Sequence, residues 1–192
     1  REHWSKVKSR AKAVGSEFLP KMIEEVPGQT TIVAHSLGAR VAYSGLVGGQ
    51  LPRRVSRLVT FGGAIRGDST KDWASVARHL DGGLYNVRNE HDWVLKGLFK
   101  LAEAGRSPIG LKPIKLAHPG IHDVNETGRL PSKLTDGIKS HSRYFRVLGP
   151  YIEPSVSVSS PDEGDEARKH CRVCGKRIKH GVKFQATRRF YC

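Results

Sequence analysis

The sequence predicts an α/β protein, a parallel sheet flanked by helices, followed by a small basic module that carries the cysteines. Three observations lead there. From residue 2 to residue 152, short β-branched or apolar runs alternate with segments of helical periodicity, the pattern of strands joined by helical crossovers. Across 153–167 the large apolar residues give way to Ser, Pro, Asp and Glu, the composition of a linker. Residues 168–192 then hold nine Lys or Arg, no acid, and all three cysteines. The expected organisation is therefore a folded part over 1–152, an acidic Ser/Pro linker over 153–167, and a basic module over 168–192.

The elements follow from local pattern. Trp4, Val7, Ala11, Val14, Phe18, Leu19, Met22 and Ile23 recur near helical spacing, which predicts an amphipathic helix over 2–25, kinked or split at Pro20. Pro27-Gly28 breaks the chain before a strand at Thr30 to Ala34, and a helix over Ala39 to Leu46 follows. Arg57 to Phe61 reads as a second buried strand, Ser69 to Leu80 as a short helix, and Leu84 to Val87 as a third strand after Gly82-Gly83. Trp93 to Ala104 reads as a helix. Residues 105–139 are rich in Gly and Pro, loop-like, with one short strand near Ile121 to Val124. His141 to Ile152 reads as the last helix. Three or four strands are few for an open α/β sheet, and the first residue is Arg1. The expectation is that an amino-terminal part of the sheet precedes this chain.

Composition limits the classes of function. Of 192 residues, 33 are basic and 18 acidic, a net charge of +15. That charge is uneven: +11 over 1–152, −5 over 153–167 and +9 over 168–192. A basic surface attracts nucleic acid, anionic lipid or acidic partners without choosing among them. No apolar stretch approaches the roughly 18 residues that cross a bilayer, so no transmembrane segment is expected. Three cysteines, two of them in Cys-x-x-Cys, do not make a secreted disulfide framework, and a reducing, cytoplasmic setting is expected.

The chemistry starts at Thr30 to Gly38, which reads Thr-Thr-Ile-Val-Ala-His-Ser-Leu-Gly. A β-branched run ends in small-x-Ser-x-small and a helix begins at once, the layout of a nucleophile elbow. In such a corner the arms nearly touch, which favours small residues at Ala34 and Gly38. The serine hydroxyl is exposed, and the amide of Leu37 at the helix start is aimed where an oxyanion would form. The plain alternative is a serine that only caps a helix.

A serine hydroxyl needs a base to take its proton and an acid to hold that base. In the α/β-hydrolase order, Ser, acid and His follow one another at the carboxyl ends of the strands. Asp92 meets this, a few residues after the third strand and where a loop turns into a helix. It would also serve as a helix N-cap, and Glu90 and Asp68 are the rival acids. Of the nine histidines, His141 fits the base best, downstream of the acid and at the start of the last apolar helix. His118 and His122 suit a loop or substrate-facing role, and His35 a place lining the pocket. His91 lies too near the acid in sequence.

The stretches Ala34-His-Ser-Leu-Gly38, Phe61-Gly-Gly-Ala64, Asn86-Val-Arg-Asn-Glu-His-Asp-Trp-Val-Leu95 and Ser140-His-Ser-Arg-Tyr144 come in an order that resembles one group. It is the poorly characterised α/β-hydrolase family that includes transmembrane and coiled-coil domain protein four and its fungal and bacterial relatives. The resemblance covers about residues 1–152. It implies a partial α/β-hydrolase fold with Ser36 as nucleophile, Asp92 as acid and His141 as base. The chain departs from the pattern in having Ala34 where glycine is commonest. On this resemblance the early strands, and with them the loop giving the second oxyanion amide, are expected to lie ahead of this chain.

Cys171-Arg-Val-Cys174-Gly has the spacing of a metal knuckle. Seventeen residues separate Cys174 from Cys192, which suggests a zinc ribbon one ligand short, with His170 or His180 as candidate fourth ligand. The expected cofactor is a structural Zn held by Cys171, Cys174 and Cys192, against the alternative of three free thiols. Taken together, the sequence predicts a serine hydrolase acting on a small-molecule or lipid ester or thioester. The alternative is a catalytically silent hydrolase-fold scaffold whose basic cysteine module binds nucleic acid or an acidic protein partner.

Overall fold

The computed structural model describes residues 2–48, 51–52, 54–99, 103, 105–130, 134–136 and 138–152, and the backbone of 183–184 and 189–190. The chain divides into two compact units, Arg1–Tyr151 and Ile152–Cys192. In the first, helix α1 (Glu2–Glu25) leads to strand β1 (Thr31–His35), helix α2 (Gly38–Gly48), strand β2 (Arg57–Phe61) and helix α3 (Trp73–Arg78). Strand β3 (Leu84–Arg88), a π-helical turn (Leu95–Phe99) and strand β4 (Ile121–Asn125) follow. In the second unit, beyond Ile152, the described part is an antiparallel pair of two-residue strands, Lys183–Phe184 and Arg189–Phe190. The expected zinc site at Cys171, Cys174 and Cys192 lies outside the described residues. Among the described residues no group of His, Cys, Asp and Glu is arranged to hold a metal ion.

The four strands form one parallel sheet in the order β1-β2-β3-β4. Sequential order and parallel pairing follow from the helical or looped crossover between each pair of strands. Alternation then splits the side chains between two cores. One face carries Ala34, Leu58 and Leu84 against α2 and α3, with Tyr43, Leu46, Trp73 and Val76. The other face carries Val59, Phe61 and Val87 against the carboxy-terminal segment, through Tyr144 and Val147. A polar row crosses the first face. Thr60 Oγ1 donates to Asn86 Oδ1 at 3.1 Å, and Asn86 Nδ2 donates to Asp123 Oδ1 at 2.8 Å and to the Ile109 carbonyl at 3.0 Å. Asn86 is fully buried, so these bonds are what makes its burial tolerable.

Helices α1 and α2 pack with their backbones close. A Cβ built on Gly15 would lie 2.2 Å from the Val41 carbonyl oxygen, and one on Gly45 would lie 2.6 Å from the Gly15 carbonyl oxygen. Glycine at both positions is what lets the helices meet. We expect Gly15→Ala to lower stability by about 1–3 kcal/mol through forced separation. This would be read as a fall in the urea midpoint at constant m, and an unchanged midpoint would refute this contact.

Four expectations need correction. Pro20 does not split α1, which runs unbroken over Glu2–Glu25. Proline removes one donor, and the carbonyl four residues back belongs to exposed Ser16, where water can replace the bond. The helix expected from Ser69 starts at Trp73, because Asp72 caps it by accepting from the Ser75 amide at 2.8 Å. The helix expected from Trp93 is, in its described part, two helical residues and the π-helical turn. The last helix is three short pieces, Ile138–His141, a 3₁₀ segment Arg143–Val147, and Gly149–Ile152. Pro150 restarts the helix in its first turn, where a missing N–H costs nothing.

Candidate active site

β1 delivers the chain to the carboxyl edge of the sheet, and two residues reverse it into α2. Ser36 occupies that corner with φ of 54°, the sole positive φ outside glycine among the described residues. A side chain in the left-handed region is strained unless its surroundings hold it there. Here the Ser36 amide donates to the Phe61 carbonyl at 3.0 Å, and its carbonyl accepts from Ala64 at 2.9 Å and Ala39 at 3.2 Å. The corner is thus tied to the end of β2 and to its own helix. The steric demand at Gly38 is weaker than the sequence suggests. A Cβ there would sit 3.9 Å from the Ala34 Cβ, an ordinary contact. Leu37 precedes the 11-residue α2, and its N–H has no acceptor among the described residues.

Asp92 and His141 are brought together across 49 residues of sequence. His141 Nδ1 lies 2.6 Å from Asp92 Oδ2. Asp92 is fully buried and His141 is 8% exposed. Because the carboxylate can only accept, the imidazole proton sits on Nδ1 and Nε2 presents its lone pair. Nε2 is buried and has no hydrogen-bond partner. The other Asp92 oxygen, Oδ1, accepts from the Leu95 amide at 3.1 Å. Asp92 therefore does both things the sequence offered it, capping a turn with one oxygen and holding a histidine with the other.

His141 does not start a helix, as the sequence suggested, but ends the short one at Ile138–His141. What sets it beside the corner is His35. The His35 Nε2 donates to the His141 carbonyl at 2.8 Å, and the two rings lie 4.6 Å apart. Burial holds the His35 imidazole below its ordinary pKa, the bond to His141 offsets part of this, and nearby His141 lowers it further. Neutral His35 is then a single-proton donor that fixes the backbone of His141. No hydrogen bond joins Ser36 Oγ to His141 Nε2, a looseness common when no substrate is bound.

Tyr144 was not anticipated. Its hydroxyl donates to Asp92 Oδ2 at 3.3 Å, and burial, then the charge of Asp92 and this bond, push its pKa upward. It is fully buried, and a permanently protonated phenol suits a buried carboxylate. The available signal was the spacing His141-x-x-Tyr144, about one helical turn. The rival residues are engaged elsewhere. Glu90 pairs with Arg88 at 2.6 Å and Asp68 with Arg106 at 3.0 Å. His118 accepts the Gly120 amide at 3.0 Å, the exposed His122 stacks on Tyr85 at 4.7 Å, and His91 is exposed.

These features define a parallel α/β protein with a strained serine at a strand-to-helix corner and a buried Asp–His pair beside it. Residues 1–148 match the family described as "Protein of unknown function (DUF726)", and the chain belongs to that family. It is similar to the "Uncharacterized membrane protein F35D11.3" of Caenorhabditis elegans, with 25% identity over 173 residues, covering 80% of this chain and 26% of that protein. The chain thus spans about a quarter of the length of that relative. Among the described residues, no helix is long and apolar enough to cross a membrane. No solved structure matches the chain.

Proposed function

We propose that this chain carries the catalytic part of an α/β-hydrolase, a serine hydrolase that transfers an acyl group from an ester or thioester to water. The observation that carries the reading is the His141–Asp92 pair at 2.6 Å with a bare Nε2, held next to a serine at φ 54°. Ser36 Oγ adds to the carbonyl carbon as His141 Nε2 takes its proton. The tetrahedral intermediate puts its negative oxygen on the Leu37 amide at the N-terminus of α2. Its collapse breaks the bond to the alcohol or thiol, which leaves with the proton from His141. Water then repeats the sequence and frees the acid. Asp92 keeps the imidazole in the reactive tautomer and steadies the imidazolium. The substrate class we assign is a small-molecule or lipid ester, in a cytoplasmic setting.

One observation favours the scaffold reading, in which a silent hydrolase fold presents the basic cysteine module to nucleic acid or protein. Ser36 Oγ is not hydrogen-bonded to His141. Labelling of the chain with a fluorophosphonate probe separates the two. Covalent labelling that disappears in Ser36→Ala is the result expected of the hydrolase. A chain that stays unlabelled while folded overturns it.

A further inference from the structure

The loops after β2 and β3 line two adjoining pockets, the lobes of one groove, whose charge the hydrolase reading leaves unused. One lobe, of about 490 Å³, is lined by Gly67, Asp68, Arg106, Lys112 and Lys115 among others; the other, of about 210 Å³, by Glu90, His91, Lys96 and Lys112. Ser107 and Lys112 line both, so Lys112 stands between them. The larger lobe is of the size that ligand pockets take.

Both acids in the groove are already committed. Asp68 pairs with Arg106 at 3.0 Å and accepts from the Thr70 amide and hydroxyl. Glu90 pairs with Arg88 at 2.6 Å and accepts from Asn125. Lys112 and Lys115 have no carboxylate at ion-pair distance among the described residues. Four cationic side chains, Lys96, Arg106, Lys112 and Lys115, thus line the groove with two carboxylates, and of these Glu90, which also feels the charge of Lys112, is already paired with Arg88.

The groove is also held in shape before any ligand arrives. The Ile109 amide donates to Ile65 at 2.8 Å, Gly110 to Gly63 at 3.0 Å, Lys112 to Pro108 at 3.1 Å and Lys115 to Gly67 at 2.7 Å. A Cβ on Gly67 would meet the Ile109 Cγ2 at 2.8 Å and the Ile114 Cα at 3.2 Å, so glycine there lets the lysine loop seat against the β2 loop. The backbone that carries Lys112 and Lys115 is thus set before binding, while their exposed side chains order around the ligand, and a compact, multiply charged anion engages several of them at once.

We infer that this groove binds a phosphomonoester or pyrophosphate group of a small ligand, through Lys112, Lys115 and Arg106. The lining residues Glu90 and His91 lead directly into Asp92, and on the hydrolase reading the bound phosphate belongs to the leaving group of the ester or thioester. The binding itself does not depend on that reading.

The test is calorimetric titration of the full 192-residue chain with sodium pyrophosphate at low salt. Saturable binding is expected, weakened about tenfold or more in Lys112→Glu/Lys115→Glu. Lys12→Glu/Lys21→Glu on exposed positions of α1 makes the same change of charge and should move affinity by less than about twofold. Ser36→Ala should bind like wild type, so loss of labelling and loss of binding fail separately. Repeating the comparison with phosphatidic acid vesicles against phosphatidylcholine vesicles tells a lipid headgroup from a soluble phosphate. Sensitivity of either to the groove variant supports the site. Absence of saturable binding, or equal weakening in both charge variants, overturns it.

Discussion

Asp92→Asn slows fluorophosphonate labelling of Ser36 by about three orders of magnitude while leaving the protein folded. Asparagine keeps the size of the side chain and can keep the bond from the Leu95 amide, now made at 3.1 Å to Oδ1. Its amide nitrogen then occupies the place of Oδ2, which lies 2.6 Å from His141 Nδ1 and 3.3 Å from the Tyr144 hydroxyl. A donor facing Nδ1 forces the imidazole proton onto Nε2, and the base no longer has a lone pair for the serine. Removing the negative charge also leaves the imidazolium without its counter-ion. The fold persists because the substitution is nearly isosteric in a fully buried site. The measurement is the second-order labelling rate of the variant beside wild type, with circular dichroism as the check on folding. A rate within tenfold of wild type would mean that Asp92 caps a turn and does nothing for the serine.

How far the sequence carried this reading differs from residue to residue. The strands were legible because β-branched runs such as Arg57 to Phe61 end on glycines, and a buried parallel strand has that appearance. The partners of the serine could be ordered along the chain, since a strand-end loop must supply each of them. Distances could not be. Nothing in the sequence says that His35 holds the His141 carbonyl, because that bond spans 106 residues. The last segment misled because apolar spacing over 141–152 fits one helix as well as three pieces, and only Gly149-Pro150 hinted at a break. Tyr144 left a trace in its spacing from His141, but its partner Asp92, like the partners of Glu103, comes from a distant segment, and a single sequence does not show such pairing.

Glu103 is where the second large effect falls. Its side chain is 6% exposed and accepts from Trp4 Nε1 at 2.9 Å, Lys8 Nζ at 3.1 Å and the Arg40 guanidinium at 3.3 Å, with Arg66 at 3.6 Å. One carboxylate thus joins α1, α2 and the loop after β2. We expect Glu103→Gln to cost about 3–5 kcal/mol, because it leaves the buried Arg40 cation uncompensated. Arg40 also donates to the Ala64 carbonyl at 3.3 Å, and Ala64 is the residue whose amide holds Ser36. Loss of Glu103 should therefore loosen the serine corner as well as the helix contact. Glu103→Gln/Arg40→Met removes both charges and should recover more than half of the loss. The pH dependence has a definite sign. Burial raises the Glu103 pKa, but the bonds from Trp4 and Lys8 and the charges of Lys8 and Arg40 outweigh it and hold the group below its ordinary value of 4.5. Its contribution is then complete above that value and is lost as pH falls through the lower, folded-state pKa. Urea midpoints measured from pH 7 down to about 3 should fall more steeply for wild type than for Glu103→Gln. Parallel curves, or a variant as stable as wild type at pH 7, would show that the cluster is held by solvent and not by this carboxylate.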